Sequence, residues 1–252
     1  MFIPKNQDPS IWNKKAKQYN RFSHDATTFQ HTILSKIAQR GINFKGKTVL
    51  DIGCGTGVYT LHIAKDANHV IALDFSQEML DILQEDAIKE GLEPQFTFTC
   101  NTWSDFQATT PLDILFSSMS PAFKSDADFE KMHLMAKEHC VYLGWGGRRE
   151  STLLDPLFQA HGETLNVPAG AEKLRSWLDT HTIAYTTEYI EELRHHTKPY
   201  DEARESALWH FEINGVSADA SIIDALLPTM QDASGMVAFK TIIGVELISW
   251  AK

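Results

Sequence analysis

The stretch Val49-Leu50-Asp51-Ile52-Gly53-Cys54-Gly55-Thr56-Gly57 decides how this chain folds. Residues 47–52 form a short apolar run flanked by glycines, which predicts a buried strand. Three alternating glycines then predict a tight turn opening into a helix over residues 57–65. Glycine permits positive φ and lets backbone N–H groups approach a ligand closely. An acid, Asp51, stands near the strand end. A second acid, Asp74, closes the next apolar run at 69–74, seventeen residues beyond Gly57. That is near the ~20-residue spacing at which a carboxylate meets a ribose diol in dinucleotide-type folds. A carboxylate suits vicinal hydroxyls because it accepts two hydrogen bonds.

Outward from this turn the pattern alternates. A helix is expected over 76–90, with Met79, Leu80, Ile82, Leu83 and Ala87 on one face and Gly91 as its stop. A strand at 96–100, a weak helix or loop at 103–109, a strand at 112–117, a helix at 125–139 and a strand at 140–145 follow. Strands alternating with helices predict a parallel sheet covered on both faces by right-handed crossovers. Before the turn, residues 10–40 recur at helical spacing (Ile11, Trp12, Tyr19, Phe22, Phe29, Ile33, Leu34, Ile37). Beyond Gly147, helices are expected at 151–160, 171–180, 200–211 and 219–230, with strands at 182–190 and 241–250. No repeat or linker interrupts the chain, so one domain with an N-terminal helical extension is expected.

Composition sets the outer limits. With 252 residues, 43% of them hydrophobic and 22% charged, the chain is ordinary globular protein, not disordered, collagenous or coiled coil throughout. A net charge of −10 gives no global field for nucleic acid or anionic lipid. Cys54, Cys100 and Cys140 form no C-x-x-C pair, which argues against a metal or disulfide framework and for a reducing compartment. The N-terminal residues lack a signal-peptide stretch, and no uncharged apolar run reaches ~18 residues. A cytoplasmic protein without a membrane span is the expectation.

Two ligand classes suit the glycine turn. A nicotinamide or flavin dinucleotide would want G-x-G-x-x-G, but here the third glycine follows the second by two residues, and Asp51 would repel a pyrophosphate. A ligand with a sulfonium, an ammonium, a ribose and an adenine would welcome that acid. D-I-G-C-G-T-G followed by an L-D-F-S strand end resembles the class I S-adenosylmethionine-dependent methyltransferases over roughly residues 45–145. The resemblance implies a Rossmann-like α/β sandwich with a mostly parallel seven-stranded sheet whose last strand is antiparallel. It also implies three parts: an N-terminal lid (1–44), a cofactor-binding half (45–146) and a substrate-side half (147–252). S-adenosylmethionine would be the cofactor and S-adenosylhomocysteine its product.

Carried over residue by residue, Asp51, Gly53, Cys54 and Gly55 resemble the segment that holds the methionine moiety. Asp74 resembles the acid on the ribose diol. Phe75 and Met79 resemble residues that pack near adenine, although Met79 also fits the apolar face of its own helix. Asn101-Thr102-Trp103 lies where the family often has an acid for the adenine amino group. Asn101 departs from that pattern, and Trp103 suits either stacking or burial. Trp12-x-x-x-Ala16-x-x-Tyr19-Asn20 resembles the entry helix of members acting on small molecules, where it helps close the cofactor site.

The segment Ser117-Ser118-Met119-Ser120-Pro121-Ala122-Phe123 follows the fourth strand. Ser117 and Ser118 are placed beside the cofactor by the resemblance. Ser120-Pro121-Ala122-Phe123 resembles, with one proline replaced, the [DNS]-P-P-[YF] of enzymes that methylate base amino groups. A small-molecule acceptor is expected instead, because the chain is acidic and has no long basic stretch for phosphates. A non-catalytic binding protein on this fold is the other alternative. His24, His133, His195 and Glu150 are candidate bases, with no spacing to choose among them. No metal spacing is evident, and two arginines suit a metal poorly. Arg148 and Arg149 fit either an acidic substrate or a solvated turn. Tyr200, Trp209 and Phe211, in the segment 195–235, are expected to roof a partly apolar acceptor pocket.

Overall fold

A computed structural model describes residues 5–109 and 111–252. Seven strands form one sheet: β1 (Thr48–Ile52), β2 (His69–Asp74), β3 (Phe96–Cys100), β4 (Leu112–Ser118), β5 (Ala136–Ser151), β6 (Tyr185–Pro199) and β7 (Met236–Ala251). Their order is β3-β2-β1-β4-β5-β7-β6, with β7 antiparallel. The first five pair in parallel, Leu50 of β1 lying between Ile71 of β2 and Leu115 of β4. Order reverses at β1, whose two neighbours leave it in opposite directions, so the crevice at the carboxyl ends of β1 and β4 is where such sheets take ligands. The seven-stranded, mostly parallel sheet expected from the sequence is present.

The helices are α1 (Pro9–Lys15), α2 (Phe29–Gln39), α3 (Thr60–Ala64), α4 (Gln77–Lys89), α5 (Asp126–Met135), α6 (Leu154–Ala160), α7 (Gly170–Thr180), α8 (Tyr200–Ile213) and α9 (Ala220–Leu226). Ser76 caps α4, its hydroxyl accepting from the Met79 amide at 3.3 Å. Ser125 and Asp128 form a reciprocal capping box at the start of α5.

Several boundaries differ from the periodicity: β5, β6 and β7 reach beyond the expected 140–145, 182–190 and 241–250, and three others differ for a local reason. Residues 10–40 are not one helix: α1 runs into a short 3-10 turn, and an irregular segment leads to α2. There Asp25 Oδ1 accepts from the amide and hydroxyl of Thr27 at 2.8 and 2.7 Å, a side-chain turn that competes with helix. Residues 103–109, expected as a weak helix or loop, are the loop, in which Thr102 Oγ1 bonds the side chain and amide of Asp105 at 2.8 and 3.2 Å. Residues 136–139 belong to β5 and not to α5, since Ala136 and His139 pair with Leu112 and Ile114 of β4. The predicted helix at 57–65 is a five-residue α3, shortened by the glycine turn.

Two compact units divide the chain. The first comprises Trp12–Gly144, Gly170–Glu188 and Glu246–Lys252. Its core sets Leu50, Leu115, Phe129, Tyr142, Leu174, Trp177 and Ile248 together, all buried. The second comprises Trp145–Ala169 and Tyr189–Val245, with described residues up to Ile11. Its core is separate: Phe158 stacks on Phe211 at 4.3 Å, among Leu157, Ile223, Leu227 and Val237. Phe211 is therefore core and not pocket roof. Tyr200 packs against the same cluster, and the Trp209 indole N–H donates to the Ile11 carbonyl at 3.1 Å.

Candidate cofactor site

The site grows from the turn after β1. Gly53, Gly55 and Gly57 have φ of +74°, +55° and +81°. Their reasons differ. A Cβ on Gly53 would lie 2.0 Å from Ser120 Oγ, and one on Gly57 would lie 2.1 Å from Leu83 Cδ1, so both are needed for packing. A Cβ on Gly55 would meet nothing within 4 Å. Gly55 thus faces open space, a cradle that any side chain would intrude upon.

The turn is tied to β2. The amides of Gly53 and Cys54 donate to the Leu73 carbonyl at 2.7 and 3.1 Å. The Gly55 amide donates to Asp74 Oδ2 at 2.8 Å, and the Ser76 amide to Oδ1 at 2.9 Å. Asp74 is 7% exposed, not the solvated strand end that its position suggests. Burial pushes its pKa up to about 6 despite these bonds. Asp51 is buried too, accepts from Thr60 Oγ1 at 2.6 Å, and is pushed up to about 7 by burial, with Asp74 adding repulsion. Two acids whose charge is disfavoured beside one cradle make the site receptive to a cation.

The entry segment reaches this loop. Thr56 donates its hydroxyl to the Asn20 carbonyl, and Ser76 donates to Asn13 Oδ1 at 2.6 Å. Tyr19 is 39% exposed and meets Trp12 edge-on. Met79 is buried against Ala16 and Ile82 with Trp12 packed on them, so it supports the entry helix. Phe75 is half-buried, its carbonyl accepting from Cys100 Sγ at 3.8 Å. Arg21 clasps Asp86 with two bonds of 2.9 and 2.6 Å. Sequence reasoning missed Thr56, Asn13 and Arg21, whose value lies in contacts between segments distant in sequence.

Other predicted residues sit elsewhere. Asn101 spends its amide oxygen on the Thr102 amide at 2.8 Å. Trp103 is buried; its indole N–H donates to the Asp128 carbonyl at 3.2 Å, and the Lys131 ammonium lies 4.3 Å over its ring. Of the two readings, packing describes Trp103, and its face is not free to stack on adenine. Ser117 is buried and donates to the Ile52 carbonyl at 2.9 Å, which ties β4 to β1. Ser118 is half-buried at the end of β4. Met119 follows with φ +51°, its amide donating to the Leu143 carbonyl at 2.7 Å. A non-glycine residue held there is strain of the kind that functional sites retain. Phe123, half-buried, stacks on Phe129 and meets Tyr142 edge-on, both at 5.3 Å, so the ring is engaged in packing with the core.

The candidate bases are locally engaged. His24 pairs with Glu90 at 3.0 Å, His133 Nδ1 accepts from the Trp250 indole at 3.2 Å, and Glu150 pairs with Arg148 at 2.9 Å. His195 lies on the edge strand β6. Cys54, Cys100 and Cys140 are free thiols, and Cys100 is exposed. Among the described residues no cluster of metal-ligating side chains occurs, and no helix is long and apolar enough to cross a membrane.

This sheet order, with a glycine turn after β1 and an acid closing β2, defines a doubly wound Rossmann-like α/β class. Residues 49–140 match the family model described as a methyltransferase domain, in line with the resemblance of this segment to the class I S-adenosylmethionine-dependent methyltransferases. It is 29% identical over 128 residues to Phosphoethanolamine N-methyltransferase 1 of Triticum aestivum, covering 43% of this chain and 24% of that one. It is 26% identical over 172 residues to Cypemycin N-terminal methyltransferase of Streptomyces sp, covering 66% of this chain and 67% of that one. The crystal structure of YcgJ from Bacillus subtilis shares the fold, with a TM-score of 0.55 at 15% identity, over 88% of this chain and 98% of that one. The matches span about a quarter to a half of the first curated relatives' length.

Proposed function

We propose that this chain transfers the methyl group of S-adenosylmethionine to a small-molecule acceptor. The observation that carries this reading is the open cradle over Gly55, set beside the buried acids Asp51 and Asp74. The donor set fits that cofactor. Asp74 Oδ2 takes the Gly55 amide and Oδ1 the Ser76 amide, and the carboxylate's four lone pairs leave room for a ribose hydroxyl. Asp51 and Asp74 favour a ligand bearing sulfonium and ammonium charge. When bound, the cofactor supplies an already activated methyl group, so the protein's work is alignment and exclusion of water. In this scheme Gly53 and Gly55 let the ligand approach the backbone. Thr56 holds the Tyr19–Asn20 segment at the turn, where it limits water access. Phe75 and Met79 set the apolar boundary on the β2 side, Met79 through the entry helix it supports.

The small-molecule acceptor is supported by the net charge of −10 and by the engagement of the Phe123 ring in core packing. Calorimetry should show saturable binding of S-adenosylmethionine and of S-adenosylhomocysteine, and no binding of NAD. Incubation with labelled cofactor and a small-molecule extract should yield a labelled product. Cofactor binding without any transfer would leave a binding protein in place of an enzyme, and label recovered in DNA or RNA would replace the acceptor class.

A further inference from the structure

Arg148 and Arg149 are neighbours in sequence with opposite surroundings. Arg148 is neutralised: Nη1 bonds both Glu191 oxygens at 2.8 Å, and Nε bonds Glu150 at 2.9 Å. Arg149 forms no ion pair among the described residues. Its Nη1 donates to the Asn166 carbonyl at 3.1 Å, and its Cζ lies 5.1 Å from the centre of the Trp145 ring. Asp155, the acid acting on it electrostatically, is itself committed to the Ser151 amide at 2.8 Å. Between Trp145 and Arg149 stands Gly147, with φ +93° and nothing within 4 Å of a Cβ position.

A guanidinium carries five N–H donors in a rigid fork and cannot shed its charge near neutral pH. One carbonyl and one aromatic face leave most of that fork unused. Burial lowers the Arg149 pKa to about 10 against the opposing charge of Asp155, and no carboxylate bonds its fork directly as Glu150 and Glu191 bond that of Arg148. The arrangement is a half-buried cation, oriented by a stack and a carbonyl, beside open space.

We infer that Arg149, with Trp145 and Gly147, forms a site for a small ligand bearing an oxyanion, a carboxylate or a phosphate. The fork matches either group with two parallel charge-assisted hydrogen bonds. The Trp145 ring and the Asn166 carbonyl both restrain the guanidinium, so less side-chain entropy remains to be lost on binding. The site goes beyond the methyl-transfer reading and does not depend on it; should that reading hold, such a ligand has the chemistry of an acidic acceptor.

The test is thermal unfolding of the full chain with benzoate or with inorganic phosphate, read against Arg149→Met, Arg149→Lys and Arg148→Met. Stabilisation of the unaltered chain and of Arg148→Met, and not of Arg149→Met, is the expected result. Subtracting the Arg149→Met response removes the general stabilisation that excluded salts give. A response to benzoate alone identifies a carboxylate ligand, and a response to phosphate alone a phosphorylated one. Should Arg149→Met fail to fold, Arg149→Lys keeps the charge and loses the fork, and its affinity should fall about tenfold. Trp145→Phe should retain binding while losing the anion-induced fluorescence change. No stabilisation of the unaltered chain, equal stabilisation in Arg149→Met, or equal affinity in Arg149→Lys would each overturn the inference.

Discussion

The turn after β1 and the region beyond Trp145 are built on different principles. In the turn, residue identity is forced one position at a time. Gly53 admits Ser120, Gly57 admits Leu83, and Asp74 receives two backbone amides. Beyond Trp145, a core of Leu157, Phe158, Phe211 and Ile223 needs only apolar volume at the right period. Close contacts and backbone hydrogen bonds constrain the first region residue by residue, and apolar volume constrains the core of the second. That difference explains why the turn carries the family's signature and the core beyond Trp145 does not.

Gly55→Val should separate the two demands most sharply. Its φ of +55° resists a β-branched side chain, and the new methyls would enter the open cradle. Affinity for S-adenosylmethionine should fall at least about a hundredfold, while strain costs the fold only ~1–2 kcal/mol. Calorimetry alongside denaturant unfolding measures both. Normal binding in the folded variant would move the cofactor site away from this turn.

Asp74→Ala comes next. Losing the carboxylate removes acceptors for ribose hydroxyls and also strands the amides of Gly55 and Ser76. Cofactor affinity should fall by about 1.5–3 kcal/mol for each charge-assisted bond lost, and the ligand-free fold should lose ~1–3 kcal/mol. The second effect follows from the burial of Asp74, which the sequence did not reveal. Unchanged affinity in a folded variant would refute the ribose role.

A smaller and pH-dependent effect belongs to Asp51. Its folded pKa, about 7, lies above the ordinary value of 3.8, and that of Asp74 is about 6. Groups raised in the folded state contribute stability that is full below about pH 4 and is lost as pH rises through 6 to 7. Asp51→Asn should therefore stabilise the ligand-free protein at pH 8, by the order of a few kcal/mol, and change little at pH 4. A cationic ligand reverses the sign, so S-adenosylmethionine affinity should rise between pH 5 and 8 in the unaltered chain and more shallowly in Asp51→Asn. Parallel pH profiles for the two would remove Asp51 from the site.

Legibility followed the same divide. The strand–turn–helix at 48–64 and the acid of β2 were readable because glycine and aspartate there answer to backbone geometry and charge. Trp103 was ambiguous, since an indole beside a strand end suits stacking or burial equally, and Lys131 and Asp128 decided the matter from another element. The start of β5 at Ala136 was hidden because Lys137-Glu138-His139 continues a polar helical pattern until pairing with β4 overrides it. Phe211 and Tyr200 looked like pocket residues because an aromatic in an amphipathic helix does not announce which core it serves. Arg148 and Arg149 were indistinguishable until Glu191, more than forty residues away, took one of them.

The entry segment offers the mildest way to sharpen the comparison, because it combines the two regimes: a small apolar cluster around Ala16 and Met79, and polar ties from Arg21 and Asn20. Arg21 Nε and Nη2 bond the two Asp86 oxygens, and Nη2 also reaches Glu85 at 3.1 Å. One residue earlier, the Asn20 carbonyl receives the Thr56 hydroxyl from the glycine turn. Arg21 is 41% exposed on its side chain, so the clasp contributes only ~0–1 kcal/mol to global stability. Its leverage is local, since releasing it frees the chain next to Asn20 and adds ordering cost to any ligand that needs the segment in place. Arg21→Ala should leave the melting temperature within a few degrees and weaken S-adenosylmethionine about three- to tenfold. Asp86→Asn should do the same, and the double variant should be no worse than either single one, since both break one tie. Added salt should weaken the unaltered chain toward the variants while leaving Arg21→Ala unchanged, because screening acts on the pair from its exposed Arg21 side. Additive losses in the double variant, or the same salt response in all three, would mean that the segment is held by its apolar contacts around Trp12 and Ala16 and that the clasp is incidental.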